Sequence, residues 1–537
     1  MDSWRDSLSD ERMVDRTMAR QTPHLFSGHS THGIVSSAHY QATRAGIEML
    51  SMGGNAFDAA VAASLSLGVV EPAASGLGGN AMAMVYTAAD RRVFALENPC
   101  VAPLTATPEE VAKHPRKAGY KAVAVPTLLR TLDHMLSKYG SLSRETVCTP
   151  AIRLAEEGHV ITPVAGKVLG DYLKSLRSWN GGAFMLTGQG LPPEVGTVFR
   201  QPVLARTLQR LAEKGFSDFY TGETGRMIAL DMEQHDGFIS ASDLAQAPQP
   251  KEKAPLYGQF GGMTVCCLPP PGGGTTLVEI LNIYECLAGK GVDPDAPEGA
   301  LLLAAIINRA RSDRKTYIPT HVMEKLASYP DLTSLQYAET AGEQIREALQ
   351  PGDTTHFNVM DRFGNVVAMT QSIERCYGAK VATGALGFLY NGYMKAFKIQ
   401  NKKHLHYLRP GAVARSNACP AILMKNGFPH IAIGSTGSER MISGIAQTLI
   451  RLSRGMTPFE AVSSPRLHCT PDREVYYEPE RFSPEVIQHL ERHGFKAIAY
   501  DSPWSFKSGG LQMAVCSNGL FTGVADPRRS GAAGGPD

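Results

Sequence analysis

The segment Gly352-Asp353-Thr354-Thr355-His356-Phe357 opens the part of the chain that decides the fold. It continues into THFNVMD (355–361) and NVVAMTQSI (365–373), two alternating or apolar runs bounded by Gly and Asn. Runs of this kind are typical of β-strands. The flexible Gly-Asp turn therefore delivers two threonine hydroxyls directly to the start of a strand.

Thr354 can carry the chemistry of this segment. If the Asp353-Thr354 peptide bond is strained, the Thr354 hydroxyl can form an ester with the Asp353 carbonyl, and water then cleaves the ester to leave a free α-amine. That amine, with an ordinary pKa near ~8, can act as general base for the hydroxyl of the same residue. Two threonines after Gly-Asp are also common in plain turns and helix caps, so residue types alone leave both interpretations open.

A second candidate segment is IGSTGS (433–438), where a predicted strand runs into small residues. Successive backbone N–H groups in such a turn can point at one oxyanion, and removing one such donor typically raises a barrier by about 3 kcal/mol. An ordinary tight turn between a strand and a helix has the same composition. The segment is thus a candidate oxyanion hole with a purely structural alternative.

Helical patterns dominate the chain before residue 350. Apolar residues at three-to-four spacing and two alternating runs predict helices at 40–50 and 56–70, a hairpin at 81–87 and 92–97, and mainly helix over 126–350. The Pro- and Gly-rich segment Leu268–Gly274 is predicted to be an exposed loop.

The last third of the chain is predicted to be rich in strands. Besides the two strands above, the patterns predict strands at 421–427, 428–436, 510–515 and 519–524 and helices at 444–454, 459–464 and 484–493. This order predicts helices that cover a stacked pair of sheets. The final residues, SGAAGGPD (530–537), are predicted to fray.

The charge balance restricts the class of partner. Lys plus Arg number 53 and Asp plus Glu number 51, so the chain has no global field that would attract nucleic acid or an anionic membrane. Its longest apolar stretch, Ala59 to Val70, is well short of the ~20 residues of a membrane-spanning helix. We therefore expect a small, roughly neutral substrate and neither nucleic acid nor membrane as a partner.

The nine cysteines are scattered, without CxxC pairs or zinc-finger spacing, which predicts mostly buried thiols. The N-terminal segment 1–21 is charged and lacks the apolar core of a signal peptide, so we expect a cytoplasmic protein. The sequence contains no phosphate-binding glycine motif and no histidine cluster with metal-ligand spacing. It therefore predicts no metal, nucleotide or organic cofactor.

From about Gly33 to Gly535 the chain resembles the γ-glutamyltranspeptidase family, block after block and in the family's order. The blocks include ATRAGIEMLSMGGNAFDAAVAASLSLGVVEPAASGLGG (42–79), LPPPGGGTTLVEILNIYE (268–285), RARSDRKTY (309–317), THFNVMDRFGNVVAMTQSI (355–373) and VADPRRSGAAGG (524–535). The resemblance implies the four-layer αββα fold of N-terminal-nucleophile hydrolases, with two stacked, mainly antiparallel sheets covered by helices.

The same resemblance implies how the chain is processed. It predicts self-cleavage between Asp353 and Thr354 into a large subunit, 1–353, and a small catalytic subunit, 354–537. The two pieces would form a heterodimer, with a dimer of heterodimers as a further option.

The resemblance also assigns catalytic roles. Thr354 matches the family nucleophile, the first residue of its Thr-Thr-His motif. Ser372 lies where the family carries a second threonine whose hydroxyl hydrogen-bonds the nucleophile. Gly437 and Ser438 match the paired glycines whose backbone N–H groups form the oxyanion hole.

Most of the family's contacts to a γ-glutamyl group are replaced in this sequence. Pro99 stands where the family has the arginine for the α-carboxylate, and Ala396 where it has the aspartate for the α-amine. The other replaced positions and their neighbours are expected to bind substrate: Glu374, Arg375, Tyr393, Ser416 and Asn417. Because a site that loses such partners loses several kcal/mol of binding, efficient turnover of glutathione is not expected.

Basic residues lie near the replaced positions and could receive a carboxylate in a new arrangement. They are Arg375, Lys380, Lys395 and Arg415. The alternative for each of them is a solvated surface charge. Tyr393 could stack on a ring or hydrogen-bond the acyl group.

These observations predict an autoprocessed N-terminal threonine hydrolase that cleaves an amide through an acyl-enzyme on Thr354. Its specificity is expected to be non-glutamyl, as for an oxamate-like amide or a substrate of antibiotic biosynthesis. One alternative is a glutathione hydrolase or γ-glutamyl transpeptidase with different glutamyl contacts. A second is an uncleaved family member that acts as a binding or scaffold protein.

Overall fold

The fold comes from a computed structural model that describes residues 26–114, 116–288, 292–317, 331–338, 354–400, 402 and 407–537. Asp353, on the acyl side of the predicted cleavage point, lies outside these residues, as does the N-terminal segment 1–25. The division into 1–353 and 354–537 therefore stays a prediction.

The strands alternate with long helical regions along the chain. In chain order they are β1 (Ser27–Ser30), β2 (Gly33–Ser37), β3 (Asn80–Thr87), β4 (Arg92–Asn98), β5 (His159–Val160), β6 (Val198–Phe199), β7 (Lys251–Lys253), β8 (Leu256–Phe260), β9 (Met263–Cys267), β10 (Thr355–Asp361), β11 (Val366–Ser372), β12 (Ala421–Lys425), β13 (Phe428–Ser435), β14 (Leu467–Cys469), β15 (Glu474–Tyr477), β16 (Lys496–Ala499), β17 (Leu511–Ser517), β18 (Leu520–Ala525) and β19 (Ala532–Gly534).

The helices fall into two groups, one before and one after the central strands β10 and β11. In chain order they are α1 (Tyr40–Ser51), α2 (Ala56–Val70), α3 (Pro108–Ala112), α4 (Leu128–Tyr139), α5 (Arg144–Glu156), α6 (Pro163–Arg177), α7 (Pro202–Lys214), α8 (Asp218–Thr221), α9 (Glu223–Gln234), α10 (Ala241–Ala245), α11 (Gly274–Ala288), α12 (Pro297–Tyr317), α13 (Arg440–Ser453), α14 (Pro458–Ser463) and α15 (Pro484–Arg492).

Two seven-stranded sheets form the centre of the fold. The strand order is β1-β18-β17-β13-β12-β9-β8 in one sheet and β19-β2-β10-β11-β3-β4-β7 in the other, and all neighbours pair antiparallel. One buried cluster joins α1, α2, α4, α5 and α7 to the second sheet, another joins α11, α12 and α13 to the first, and a third lies between the sheets. This confirms the predicted αββα layers.

Strand alternation divides the side chains of β10 between two layers. Phe357 and Val359 belong to the cluster on the helix side, whereas Met360 belongs to the cluster between the sheets. Residues 354, 356 and 358 lie an even number of positions before Met360, so their side chains point to the same side of the strand as that of Met360. The side chain of Thr354 is therefore on the side of β10 that faces the other sheet.

Local sequence explains why the helix pair α1 and α2 forms where it was predicted. Asn55 caps α2 by accepting from the N–H of Asp58, while the Asp58 carboxylate accepts from the N–H of Asn55. This capping box fixes the start of a helix that is buried along nearly its whole length. The hairpin at 81–87 and 92–97 is likewise confirmed as β3 and β4.

The prediction that Leu268–Gly274 is exposed is wrong, because the segment is largely buried. Its backbone groups find partners inside the protein: Arg314 donates to the carbonyls of Pro271 and Gly272 at 3.2 and 3.0 Å, and the N–H of Gly273 donates to Ala418 O at 2.8 Å. Satisfied backbone groups can be buried at little cost.

The predicted fraying of residues 530–537 is also wrong. Ala532–Gly534 form β19, which pairs with β2 and is fully buried. Small residues let β19 pack closely against β1, since a β-carbon at Gly28 would lie 2.4 Å from Ala533 O.

The region predicted to be mainly helix is interrupted by strands β7 to β9. Gly261 and Gly262, which have positive φ, form the turn between β8 and β9.

A buried network of charges joins the C-terminal segment to the rest of the fold. The Arg528 guanidinium is fully buried and donates to both carboxylate oxygens of Glu478, at 2.5 and 2.6 Å, and to Asp526 at 3.1 Å. Arg466 pairs with Asp526, and Asp526 accepts from the N–H of Leu511 at 2.7 Å. Breaking a buried pair leaves an uncompensated charge, so this network holds the turn before β17 in place.

We expect Arg528→Met to lower the free energy of unfolding by about 3–5 kcal/mol, because it leaves Glu478 and Asp526 short of a buried partner. The midpoint of urea denaturation measures this loss. The matched control is Arg226→Met, which removes an exposed arginine from α9 and should shift the midpoint little. Equal shifts for the two variants would contradict the prediction.

Candidate active site

Thr354 and Ser372 meet at one end of the hairpin formed by β10 and β11. Thr355 pairs with Gln371 in the ladder, so the two residues just beyond lie opposite each other. The Thr354 hydroxyl donates to Ser372 Oγ at 3.4 Å, and both side chains are buried. Ser372 Oγ also accepts from the N–H of Glu374 at 2.8 Å. The predicted nucleophile and its predicted hydroxyl partner are thus brought together.

His356 supports this end of the hairpin from between the two sheets. Its Nδ1 accepts from the Thr370 hydroxyl at 2.9 Å and its Nε2 donates to Asn358 Oδ1 at 3.0 Å. A β-carbon at Gly434 would lie 2.2 Å from the ring, so only glycine lets β13 approach. Burial lowers the pKa of His356 to about 3, and the imidazole is therefore neutral at physiological pH.

Glu71 is a residue that the sequence reasoning missed. It follows α2, and its carboxylate accepts from the Thr355 hydroxyl at 2.6 Å on the face of β10 opposite Thr354. A signal was available, since Glu71 is the first acidic residue after a long apolar helix. This contact fixes the backbone next to the predicted nucleophile.

The Gly437-Ser438 turn connects β13 to α13. Both residues have positive φ, +98° and +59°, and the N–H groups of Arg440 and Met441 donate back to their carbonyls at 3.1 and 3.2 Å. The N–H groups of Gly437 and Ser438 themselves have no backbone acceptor among the described residues. This geometry fits the predicted oxyanion hole, in which two donors must stay available.

Residues around the turn hold it in place. Asn417 Nδ2 donates to Ser438 Oγ at 3.2 Å, and Arg529 donates to Thr436 Oγ1 at 2.7 Å. Ser416 Oγ accepts from the N–H of Ala418 at 3.1 Å, and the Ser416 carbonyl accepts from Arg314 at 2.7 Å. Asn417 thus reaches the candidate oxyanion hole, whereas the Ser416 hydroxyl stabilises its own loop.

Tyr393 is placed differently from the expectation that it contacts substrate. It is buried in a cluster with Cys100, Met394 and Phe397. Burial raises its pKa, as does the charge of Glu374, whereas hydrogen bonds with Ser372 and Asn80 act in the opposite direction. The phenol therefore lies behind Ser372, where it can orient the Ser372 hydroxyl.

A cleft of about 230 Å³ opens beside the Gly437-Ser438 turn. Its lining includes Gly437, Arg375, Cys376 and Lys395 from the neighbourhood of the turn, with Val164, Lys167, Val168, Asp171 and Tyr172 from α6, and Arg440, Asp501, Phe506 and Lys507 opposite. Lys167 pairs with Asp501 at 2.7 Å across the cleft. A bound molecule could therefore contact both the turn and the basic residues.

Lys380, proposed from the sequence to receive a carboxylate, is turned inward. Its ammonium group is buried and donates to the carbonyls of Cys376 and Gly378, both at 3.2 Å. Burial, reinforced by the charge of Arg375, lowers its pKa to about 8. Lys380 therefore holds a turn, and it is neither a solvated charge nor part of the cleft lining.

Within the ranges described above, no three His, Cys, Asp or Glu side chains are grouped so that they could hold a metal ion. In the same ranges, no helix has the length and apolar character needed to cross a membrane. Seven of the nine cysteines are buried, as predicted.

Comparison with known proteins agrees with the layered fold. A family model described as Gamma-glutamyltranspeptidase matches residues 42–535. The chain belongs to the γ-glutamyltranspeptidase family. It is accordingly an amide hydrolase or acyltransferase of the N-terminal-nucleophile type.

Curated relatives include both hydrolases and acylases. The chain is 31% identical to a glutathione hydrolase proenzyme of Pseudomonas sp. (strain A14) over 543 residues, which cover 93% of each chain. It is also 31% identical to the Acylase ACY 1 proenzyme of Pseudomonas sp. (strain V22), again over 93% of each chain. Both relatives are described as proenzymes.

A solved structure with the same architecture is the cephalosporin acylase from Bacillus halodurans. The TM-score is 0.87 at 27% identity, and the match covers 95% of this chain and 97% of that chain. The family's layered fold therefore extends over nearly the whole of this chain.

We expect acidification to destabilise the fold through His356. Its pKa is about 3 when folded and near 6.5 when unfolded, so the unfolded state binds more protons between these values. Stability is fully present above pH 6.5 and falls by about 2 kcal/mol between pH 6.5 and 5 from this residue alone. Urea midpoints at both pH values measure the change, and His356→Gln should reduce the difference by that amount. An unchanged difference would refute the assignment.

We expect Ser372→Ala to slow turnover more than Ser372→Thr. Alanine removes the acceptor of the Thr354 hydroxyl, whereas threonine keeps the oxygen. Loss of one positioning hydrogen bond predicts roughly a tenfold lower kcat for alanine. Steady-state kinetics of both processed variants measures the difference, and equal rates for the two would contradict a role for the Ser372 hydroxyl.

Proposed function

We propose that the chain cuts itself before Thr354 and then hydrolyses an amide whose acyl group is not γ-glutamyl. The observation that carries this proposal is the buried Thr354–Ser372 hydroxyl pair at the head of β10. It faces the sheet whose strand β13 ends in a turn with two N–H groups that have no backbone acceptor among the described residues.

The reaction follows from the atoms present. The freed α-amine of Thr354 takes the proton of its own hydroxyl while Oγ1 bonds to the amide carbon. The negative charge that develops on the amide oxygen is stabilised by the N–H groups of Gly437 and Ser438. The C–N bond then breaks, the amine leaves with the proton, and an ester on Thr354 remains. Water hydrolyses the ester by the reverse sequence and releases the acid.

Non-glutamyl specificity is supported by the replaced contacts. Pro99 and Ala396 cannot hold a carboxylate or an ammonium group, and Tyr393 is buried behind Ser372. Ser416 uses its hydroxyl within its own loop. A polar substrate group that loses its buried partners binds more weakly by a large factor. Acylases among the relatives are consistent with such a change.

A glutathione hydrolase or transpeptidase is the second candidate. Relatives named as glutathione hydrolase proenzymes favour it, and so does the neighbouring pair Glu374 and Arg375. In principle a carboxylate and a guanidinium could hold the α-amine and α-carboxylate of a glutamyl group. The scaffold alternative is not supported, because the family and the hydroxyl pair both indicate an enzyme.

The mature form is proposed to be a heterodimer of 1–353 and 354–537. Each sheet contains strands from both pieces, which supports their staying together after a cut. A cytoplasmic location also remains a prediction, supported by the absence of disulfides among the nine cysteines, since secreted proteins commonly pair their cysteines.

We expect the purified protein to give two bands on a denaturing gel, about two-thirds and one-third of the chain, and Thr354→Ala to give one. Hydrolysis of a panel containing oxamate, other simple amides and γ-glutamyl-p-nitroanilide should depend on Thr354. The control is Thr355→Ser, which keeps the hydroxyl that contacts Glu71 and should still be cut. Full amidase activity in Thr354→Ala would refute the proposal, and preference for the γ-glutamyl anilide would favour the second candidate.

A further inference from the structure

Glu439 lies directly after the Gly437-Ser438 turn and directly before α13. Its side chain is only 4% exposed, although it carries a carboxylate. The carboxylate pairs with the guanidinium of Arg311, whose side chain is 5% exposed, and lies 3.5 Å from Arg415 Nη1. A charged side chain is buried at a large cost unless it is paired. The pair between Arg311 and Glu439 therefore fixes the residue that follows the candidate oxyanion hole.

Arg311 is buried on α12 with Glu439 as its carboxylate partner. Its Nη2 donates to Glu439, whereas its Nε and Nη1 find no acceptor in the part of the chain that the structure describes. Burial lowers its pKa, the charge of Glu439 raises it, and the charges of Arg415 and Arg440 lower it again. The guanidinium thus stays in a dry place among other cations, and Glu439 is the group that stabilises it there.

The same helix also supports the turn through Arg314. This residue lies three positions after Arg311, on the same face of α12. Arg314 donates to the Ser416 carbonyl at 2.7 Å, and the next residue of that loop, Asn417, donates to Ser438 Oγ at 3.2 Å. Helix α12 therefore reaches the turn twice, once through the ion pair of Arg311 and once through the Ser416-Asn417 loop.

The backbone of Ser438 explains why the turn needs such support. Its φ of +59° lies in the left-handed region, which costs free energy for a residue that has a side chain. Gly437, with φ of +98°, adopts a positive φ without this cost. A strained conformation persists only where the surrounding contacts enforce it. The contacts at Ser438 Oγ and at the carboxylate of Glu439 are of this kind.

We propose that Arg311 is a positioning residue for catalysis: by holding Glu439, it keeps the N–H groups of Gly437 and Ser438 directed at the oxygen of the attacked carbonyl. Arg311 acts through Glu439 and contacts none of the reacting groups. This inference rests on the proposed function, because the turn that Arg311 holds is the one proposed to stabilise the oxyanion.

The pair also joins the two predicted fragments. Arg311 lies before position 353 and Glu439 lies after it, so the fragment 354–537 alone lacks the guanidinium that holds the turn. Displacing a catalytic group by about 1 Å can lower a rate roughly a hundredfold. The fragment 1–353 thus contributes to the geometry of the reaction as well as to folding.

Hydrolysis of p-nitrophenyl butyrate by the processed protein tests the inference, because this activated ester needs no specific contact with its acyl group. We expect Arg311→Met to lower kcat by about tenfold to a hundredfold and to change KM by less than about threefold, since donors that act in the transition state are displaced. The matched control is Arg309→Met, which removes another largely buried arginine of α12, paired with Asp313, and should keep kcat within about twofold. Equal kcat losses in the two variants would overturn the inference.

Glycine at position 438 provides a readout that a purely structural role of Arg311 would not move. Because glycine adopts a positive φ without strain, the turn should then depend less on its anchor. In the Ser438→Gly background we expect Arg311→Met to lower kcat by less than about threefold, while the urea midpoint falls as much as it does with serine at this position. A kcat loss of the same size in both backgrounds would contradict an action of Arg311 on the turn.

The double variant Arg311→Met/Glu439→Met keeps the inference testable where Arg311→Met alone does not fold. Removing both charges of a buried pair costs less stability than removing one of them. We expect the double variant to regain most of the wild-type urea midpoint and yet to keep the lowered kcat, since the anchor is absent. Wild-type kcat in the double variant would overturn the inference.

A crystal structure of Arg311→Met separates this inference from the proposed function. If Ser438 leaves the left-handed region while kcat is unchanged, the anchor stands and the proposed oxyanion role of the turn fails. If Thr354→Ala hydrolyses the ester as fast as the wild-type protein, the proposed reaction fails, and the conformation of the turn in Arg311→Met still tests the anchor. If the turn keeps its conformation and kcat matches that of Arg309→Met, the inference is overturned.

Discussion

The contact between His356 and Gly434 is the constraint on which the rest of the site depends. A β-carbon at Gly434 would lie 2.2 Å from the His356 ring, so a neutral imidazole fills the space that a side chain at this position of β13 would need. This contact sets the position of β10 relative to β13, and hence of Thr354 relative to the turn that follows β13. A protonated imidazole could not remain in this dry position with only two neutral hydrogen-bond partners.

Residues from distant parts of the chain support the site around this contact. Glu71 fixes the outer face of β10, while Ser372 and Tyr393 line up behind Thr354. Arg529, from the segment between β18 and β19, and Asn417, from the segment before β12, support the turn at the end of β13. Each supporting residue is buried or partly buried. The positions of Thr354 and of the Gly437-Ser438 turn are therefore fixed by packed side chains and not by exposed loops.

Much of the fold could be predicted because its local signals agree with its layers. The capped helices α1 and α2 and the alternating strands β10 to β13 were found from periodicity, and the order of strands and helices indicated stacked sheets. The errors were at β19 and at Leu268–Gly274, where small residues and proline look like exposed chain yet have buried partners distant in sequence. Residue types made Thr354 and the turn at 437–438 candidates, and the family resemblance predicted their roles. The inward orientation of Lys380 and Tyr393 depends on packing that sequence spacing does not show.

The order of the strands determines how the two fragments would hold together after cleavage of the precursor. In one sheet β2 lies between β19 and β10, and in the other β1 lies beside β18 and β9 beside β12, so ladders cross from one side of position 353 to the other at several places. If the backbone is severed there, the two fragments remain interlaced and neither has a complete sheet without the other. Maturation would then be irreversible in practice, since fragments once pulled apart would have to fold anew around each other, and only the intact polypeptide offers both halves at the same time.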